Sequence, residues 1–482
     1  MSLVRKAVFL SALNQYAVQA ISIVTTAVIS RLLAPEEVGV FAVAVSICFL
    51  ASSIRSFGVG EYVVREKTLD KESMKPVLGV MVTMSWGLGL LLMAAAPFIA
   101  RFYAQPELTY VLWIIVVQFF LAPYISVPYA LLARELSFDL IMRVDLIGSL
   151  VRSLVSMVLA YEGFSYYSLA WGVLCGVLTQ FIIISLLRPN LMPWMPSLHG
   201  IGRIAKAGVS ITISKTLESS SENSSDLILG RLANMNDVGI FSRGLGLILF
   251  LQNLLVKAVS PVALPHLAQV KREGGAVGEA YLQAVSLVGA FALPLFAVVN
   301  IADYSMIHAL FGDQWDQSVQ IASALTFWAM FQALHCFMRQ ALLTVGKERW
   351  VLIYELVSFV SKAALIVLLI PRGLEAVAWG IVISGAIDFA MASLLIYLAY
   401  GISPLQVLRR MGSNILVALL CWTVLKASTV YLDLHALNPW LALLMIGAMM
   451  VPVWLLGISI TKSPARSVVF ELLGKVKLPG RP

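Results

Sequence analysis

Apolar runs about as long as a bilayer is thick return along the whole chain, and that recurrence constrains the fold more than any other feature. A run of ~20 residues crosses ~30 Å of hydrocarbon as a helix, and a backbone in hydrocarbon must satisfy its own polar groups. Fourteen such runs are read, near 7–33, 38–60, 77–100, 109–133, 140–161, 166–188, 203–230, 238–263, 281–302, 318–340, 350–370, 374–399, 412–431 and 439–460. The loops between them are short and hold no soluble domain. The expectation is an all-α polytopic membrane protein with about fourteen transmembrane helices.

Of the 482 residues, 60% are hydrophobic and 12% charged, against about 25% charged in a soluble domain. The formal charge of +8 does not indicate nucleic acid, because the basic residues gather in alternate loops, which is a topology signal. Arg5 and Lys6 precede the first run, Arg65, Lys67, Lys71 and Lys75 follow the second, and Arg134 follows the fourth. Later even-numbered loops hold Arg188 and Arg203, Lys271 and Arg272, Lys347 and Arg349, then Arg409 and Arg410. Odd-numbered loops are nearly bare, so both termini are expected in the cytoplasm. The first run, Ala7 to Leu33, exceeds a signal-peptide core and no small-residue cleavage site follows it, so it is read as an uncleaved helix. Cys48, Cys175, Cys336 and Cys421 lie far apart in apolar runs and read as packing residues, and the five histidines show no metal spacing. No cofactor is expected beyond a coupling proton or sodium ion.

The two halves repeat. Arg31-Leu-Leu-Ala-Pro-Glu-Glu-Val-Gly-Val-Phe41 matches Arg231-Leu-Ala-Asn-Met-Asn-Asp-Val-Gly-Ile-Phe241 at an offset of 200. Leu169-Ala-Trp-Gly-Val173 matches Val377-Ala-Trp-Gly-Ile381 at 208, and Asp145, Arg152 and Gly163 align with Glu355, Lys362 and Gly373 at 210. Three matches in order read as a duplication of six spans, an even number, so both copies point the same way and the site falls between them. The expected organisation is an N-terminal lobe over 1–200, a C-terminal lobe over 201–400, and two extra helices with a tail over 401–482.

Charges inside the spans mark the candidate site, because an ionisable group at membrane depth costs roughly 2.5 to 3.5 kcal/mol. Lys215, Glu218, Glu222 and Asp226 recur at spacings of three, four and four, forming one stripe on the seventh span among serines and Asn223. The stripe is read as lining a central hydrophilic cavity. Glu222 and Asp226 are like charges one turn apart, suited to holding a proton or a cation, or else to forming a solvated wall. Arg152 and Lys362 occupy equivalent places in the two repeats and suit an anionic substrate; the alternative is structural pairing, Arg152 with Asp145 and Lys362 with Glu355. Arg55, Lys257 and Arg339 lie near cytoplasmic ends and either line the cavity or snorkel. Arg243, Glu355 and Asp388 complete the set of candidate cavity and ion-coupling residues. The serines around Asn223 either contact sugar hydroxyls or satisfy neighbouring helices.

These residues resemble a known superfamily. Six plus six plus two spans, with the Arg-Leu-x5-Val-Gly-x-Phe turn after the first and seventh, are similar to the multidrug/oligosaccharidyl-lipid/polysaccharide exporters. Ser56-Phe-Gly-Val-Gly-Glu-Tyr-Val-Val-Arg-Glu-Lys67, Ala130-Leu-Leu-Ala-Arg-Glu-Leu-Ser-Phe138, Pro261-Val-Ala-Leu-Pro265 and Phe311-Gly-Asp-Gln-Trp315 are similar to the Wzx-type flippases within it. The resemblance implies a two-lobed bundle in the bacterial inner membrane. It also implies translocation of an undecaprenyl-diphosphate-linked oligosaccharide from the cytoplasmic to the periplasmic leaflet by alternating access, for O-antigen or exopolysaccharide synthesis. The implied partners are that lipid-linked substrate, membrane lipids, and a polysaccharide polymerase and glycosyltransferases. On this reading Arg152 and Lys362 hold the diphosphate. The acidic Glu218 and Glu222 depart from the basic cavity of the family and leave the coupling ion open.

The nearest rival is an ion-coupled multidrug or metabolite antiporter of the same architecture, which favours an acid-rich cavity. A polytopic enzyme needs a sizeable outer loop for its chemistry, and the longest here runs only from about 303 to 318. No enzymatic site is expected. A structural scaffold gives no reason for a buried polar helix.

Overall fold

The computed structural model describes residues 3–56, 70–187, 192–197, 201–461, 463, 465–466 and 469–470, without the side chains of 3–9, 56, 71, 73, 201–211, 256–266 and 268. The side chain of Ser56, the rest of the Ser56–Lys67 motif and the Pro261–Pro265 side chains lie outside the described residues. The described residues are helical almost throughout and contain no strand. By contact the chain divides into unit 1, Met1–Ser242, and unit 2, Arg243–Pro482.

Unit 1 holds α1 (Leu3–Leu32), α2 (Pro35–Ser56), α3 (Lys71–Phe102), α4 (Glu107–Leu121), α5 (Pro123–Arg134), α6 (Phe138–Tyr161), α7 (Ser165–Leu187) and α8 (Ile201–Leu232). α9 (Met235–Arg272) begins in unit 1 and continues into unit 2. Unit 2 goes on with α10 (Val277–Leu310), α11 (Gln317–Leu334), α12 (Met338–Thr344), α13 (Glu348–Leu369), α14 (Leu374–Tyr400), α15 (Pro404–Tyr431) and α16 (Pro439–Ile460). Among the described residues, twelve helical stretches are long and apolar enough to cross a membrane, or thirteen with the bent α4–α5 pair, against fourteen expected. The difference is α8. At 32 residues it is long enough, but its polar stripe keeps it below the apolarity of the others. The chain is a multi-pass, all-helical membrane protein.

Packing repeats within each unit. In unit 1, α3 lies on α4, α4 on α7, and α6 on α7; in unit 2, α10 lies on α11, α11 on α14, and α13 on α14. α15 and α16 pack on α10, through a core that includes Ala302, Val417, Cys421, Leu425, Ala442 and Ile446. The fourth span of each half is broken. Pro123 cannot donate a backbone N–H, and α4 and α5 meet there at 47°. Between α11 and α12 the break carries His335 instead, whose Nδ1 lies 2.5 Å from the Tyr281 hydroxyl and whose Nε2 lies 2.8 Å from Ser393 Oγ. Turn residues also recur at the 210 offset. Leu136 and Gly346 have φ of 56° and 73°, and Gly163 and Gly373 have 84° and 93°, a left-handed conformation that favours glycine.

The duplicated turn explains its own glycines. Acidic side chains sit at the starts of α2 and α9, where a helix dipole favours them: the Ala34 N–H donates to Glu37 at 2.7 Å, and Asn234 accepts from the Asp237 N–H at 2.8 Å. One turn on, a Cβ added to Gly39 would lie 1.8 Å from the Met235 carbonyl oxygen, and one added to Gly239 would lie 1.8 Å from that of Pro35. The two helix starts therefore cross backbone against backbone.

Candidate functional site

Three glycines shape a polar cavity inside unit 1. On α7, a Cβ at Gly172 would lie 1.9 Å from Ser156 Oγ, and one at Gly176 would lie 2.8 Å from Arg152 Cβ. Small residues let two membrane helices approach closely, so α7 closes on α6 around Arg152. On α6, a Cβ at Gly148 would lie 2.6 Å from Gln180 Cγ, so glycine leaves Gln180 its place. The resulting cavity has a volume of about 220 Å³ and is walled by α2, α4, α6 and α7. Its polar lining is Ser52, Gln118, Ser149, Arg152 and Gln180, and Cys48 and Phe49 contribute to the α2 wall. A water takes about 30 Å³ in the liquid, so the volume suits about seven.

Arg152 is the one charged residue among those lining the cavity. Ile147, Leu150, Leu154 and Val158 form the outward, lipid-facing stripe of α6. At 100° per residue Arg152 lies on the opposite side, so its guanidinium opens to the cavity rather than to lipid. It makes no hydrogen bond or ion pair with any described residue. The expected alternative partner, Asp145, is engaged elsewhere: Asn14 Nδ2 donates to it at 2.7 Å and the Tyr129 hydroxyl at 2.6 Å. Arg55 stands on α2 three residues after the lining Ser52. Its guanidinium carbon lies 5.6 Å from the Phe119 ring centroid, and its Nε and Nη1 are buried without a hydrogen-bond partner among the described residues.

The equivalent cation of unit 2 has different surroundings. Lys362 is buried, with its ammonium 5.3 Å from the Trp328 ring centroid, a cation–π contact. One turn earlier on α13, Ser358 donates to Asp388 Oδ2 at 3.1 Å, and Gln332 Nε2 donates to the same oxygen at 3.3 Å. Asp388 Oδ1 is buried and accepts no hydrogen bond from the described residues. Arg339 Nη2 binds Glu355 Oε1 at 2.5 Å, a pair whose carboxylate side is buried. At the 208 offset, the place of Asp388 is held in unit 1 by Gln180. Cations recur in both units; the carboxylate beside them does not.

The remaining candidates are scattered. Arg243 lies in unit 2 with its guanidinium carbon 5.2 Å from the Trp315 ring and 5.9 Å from Phe311, so the aromatics of the Phe311–Trp315 motif hold it. Lys257 is on α9, its side chain outside the described residues. On α8, Asp226 accepts from Ser46 of α2 at 3.0 Å and from Ser242 of α9 at 3.5 Å, and Ser53 donates to Thr216 at 3.3 Å. The Asn223 amide donates to the Ser219 carbonyl at 2.8 Å, Ser220 to Thr216 at 2.7 Å and Ser224 to Ser221 at 2.8 Å, all back-bonds along their own helix. Lys215, Glu218 and Glu222 each interact with neighbours too, and no α8 residue lines the unit 1 cavity. The sequence reading weighed charges and so passed over Ser52, Gln118, Ser149 and Gln180. For Ser149 and Gln180 the signal was there, as uncharged polar groups one turn from Arg152 and Gly176 within apolar runs; Ser52 and Gln118 carry no such spacing.

Comparison with known proteins places these features in a family. At 20% identity over 298 residues, 59% of each chain, the protein is similar to the teichuronic acid biosynthesis protein TuaB of Bacillus subtilis (strain 168). It is 22% identical over 310 residues to the succinoglycan biosynthesis transport protein ExoT of Rhizobium meliloti (strain 1021), covering 63% of this chain and 62% of that one. The matched region thus spans about three fifths of the length of these relatives. Among solved structures the fold is similar to that of the lipid II flippase MurJ in an inward closed conformation, with a TM-score of 0.79 and 13% identity over 96% of this chain and 99% of that one. The profile of the polysaccharide biosynthesis protein family matches residues 28–320, more than half of the chain, and the protein belongs to that family.

Proposed function

We propose that the chain is a flippase that carries an undecaprenyl-diphosphate-linked oligosaccharide repeat unit from the cytoplasmic to the periplasmic leaflet, for O-antigen or exopolysaccharide synthesis. The observation that carries this reading is the uncompensated guanidinium of Arg152 at membrane depth in a polar cavity. Holding a charge without a partner at membrane depth is costly, and an anionic head group that enters the cavity offsets that cost. A diphosphate bearing sugars cannot cross hydrocarbon unaided, and its lipid tail has no need to leave it. Family membership and the flippase-like fold support the same reading.

On this proposal the protein sits in the bacterial inner membrane with both termini cytoplasmic, is built from two six-span repeats plus two helices, and opens alternately to each side. The lobes are taken as 1–200 and 201–400. The diphosphate meets Arg55, whose Nε and Nη1 lack hydrogen-bond partners among the described residues. Lys362 leaves the substrate site, because Asp388 stands beside it. Asp388, with one oxygen free of hydrogen bonds, is the proposed seat of a coupling proton or sodium ion. The alternative of a multidrug antiporter is weaker, since the cavity lining offers a cationic drug no carboxylate. A polymerase and glycosyltransferases are the proposed partners.

Deleting the gene and restoring it with wild type or Arg152→Ala tests the proposal. Wild type restores polymer export, and the variant, at equal abundance, leaves lipid-linked sugars on the cytoplasmic side. Full export by the variant removes Arg152 from the mechanism; no lipid-linked sugar accumulation in the deletion strain overturns the flippase reading.

A further inference from the structure

A histidine cluster closes the end of unit 2 where α10 runs into α11. His308 lies in the last turn of α10, a helix that ends at the periplasmic face in the expected topology. Its side chain is 7% exposed, yet both ring nitrogens face carboxylates that stand in water. Nδ1 lies 2.9 Å from Asp313 Oδ1 and Nε2 lies 3.2 Å from Asp316 Oδ1, and those side chains are 97% and 71% exposed. A neutral imidazole has one N–H, and its other nitrogen is an acceptor. Two carboxylates are therefore satisfied together only by the imidazolium, which donates from both nitrogens. The Tyr304 ring stacks 4.0 Å from the imidazole, and a helix C-terminus favours a cation, so the surroundings suit the charged form.

The other ionisable groups nearby have work of their own. His435, from the loop between α15 and α16, meets the far ring of Tyr304 at 4.3 Å, and its backbone N–H donates to Asp433 at 3.2 Å. Asp303 accepts from the Tyr304 N–H at 2.7 Å and interacts with Ser323, His435 and Lys426. From α9 comes Arg243, which meets the aromatics of the intervening turn rather than the imidazole.

That turn is what His308 holds. Gly312, at φ 96°, donates its N–H to the His308 carbonyl at 3.2 Å and brings the chain back so that Asp313 reaches the ring. Phe311 and Trp315 are fully buried and close on Arg243. Arg243 belongs to α9, the helix that runs from unit 1 into unit 2. Exposed carboxylates form weak pairs that water readily replaces, which suits a contact made to open and close.

We propose that His308 is a pH-operated latch. Protonated, it clasps Asp313 and Asp316 and seats the Phe311–Trp315 turn against Arg243; deprotonated, it releases one carboxylate and loosens the grip on α9. The sign follows from the donor count: the latch closes on the acid side and opens as pH rises. It answers to the pH of the compartment its face meets, whatever cargo the protein carries.

The test uses the full chain in lipid nanodiscs and reads hydrogen–deuterium exchange by mass spectrometry between about pH 5 and 8, where an imidazole changes charge. Rates are corrected for the intrinsic pH dependence of amide exchange. As pH rises, wild type is expected to lose about fivefold protection at residues 311–316, the scale of one exposed ion pair. Residues 243–250 of α9 follow, and residues 285–300 of α10 stay unchanged. His308→Gln, which does not titrate, gives one level of protection throughout. Asp313→Asn combined with Asp316→Asn does the same, and serves where a change at the buried His308 impairs folding. His435→Gln keeps the wild-type dependence. Protection in wild type that does not vary with pH overturns the latch. So does a dependence that persists in His308→Gln or in the paired Asn variant, or that vanishes in His435→Gln. A turn that loosens while residues 243–250 do not overturns its grip on α9.

Discussion

Arg152 and Lys362 stand at matching positions in a repeated sequence, yet the groups beside them have drawn them into different work. Around Lys362 the protein supplies an indole face and, through Ser358, a nearby carboxylate. Around Arg152 it supplies amides, hydroxyls and open volume. A buried cation packed on an aromatic face, with a carboxylate near it, is compensated from within the protein. A charge facing a cavity without one is waiting for something from outside. The neighbour at one aligned place, Gln180 against Asp388, separates the two cases.

The most demanding trial of this contrast is stability. Lys362→Met, which takes a buried cation off the Trp328 ring, is expected to lower unfolding stability by about 2 kcal/mol, the scale of a desolvated cation–π contact. Arg152→Met, measured by the same reversible unfolding in mixed micelles, is expected to cost little or to stabilise. Equal losses at the two cations would erase the distinction. A comparable effect belongs to Asp145, which receives two hydrogen bonds from Asn14 and Tyr129. Asp145→Leu should cost about 1.5–3 kcal/mol and should leave Arg152 as available to anions as before, because the two are not paired.

Gly148→Ala sharpens the contrast from the side of volume. The added methyl displaces Gln180 at a cost of about 1–3 kcal/mol, and it should lower export more than it lowers stability. The corresponding residue of unit 2, Ser358, already has a side chain and a bond to keep. Least of all is expected from α8. Asn223→Ala removes a back-bond worth about 0.5–1.5 kcal/mol, and export at equal protein abundance should stay close to wild type. A large loss of export there would return the seventh span to the substrate path.

Much of this was readable before the fold was known. Apolar length gave the spans, and the repeated Gly39 and Gly239 marked a constrained turn. Arg152 and Lys362 announced themselves as charges in apolar runs. What could not be read was which cation is neutralised, since Gln180 and Asp388 approach from other helices and only packing brings them near. The broken fourth spans show the same division. Pro123 signals its break in the sequence, whereas His335 holds the other through Tyr281 and Ser393, residues 54 and 58 positions away. The α8 stripe misled in a different way: spacing correctly put its charges on one face. It could not say that Asp226 would be taken up by Ser46 and Ser242, or that the amide of Asn223 and the hydroxyls of Ser220 and Ser224 would turn back on their own backbone.

The crossing of α2 and α9 carries an evolutionary consequence. At Gly39 and Gly239 the obstacle to a side chain is a carbonyl of the other helix start, an atom that every amino acid possesses. No replacement at Pro35 or Met235 can clear that space, so a mutation at either glycine has no suppressor at the point of collision. Lineages can drift in their cavities and change their cargo, but this pair of positions has to be inherited together and unaltered.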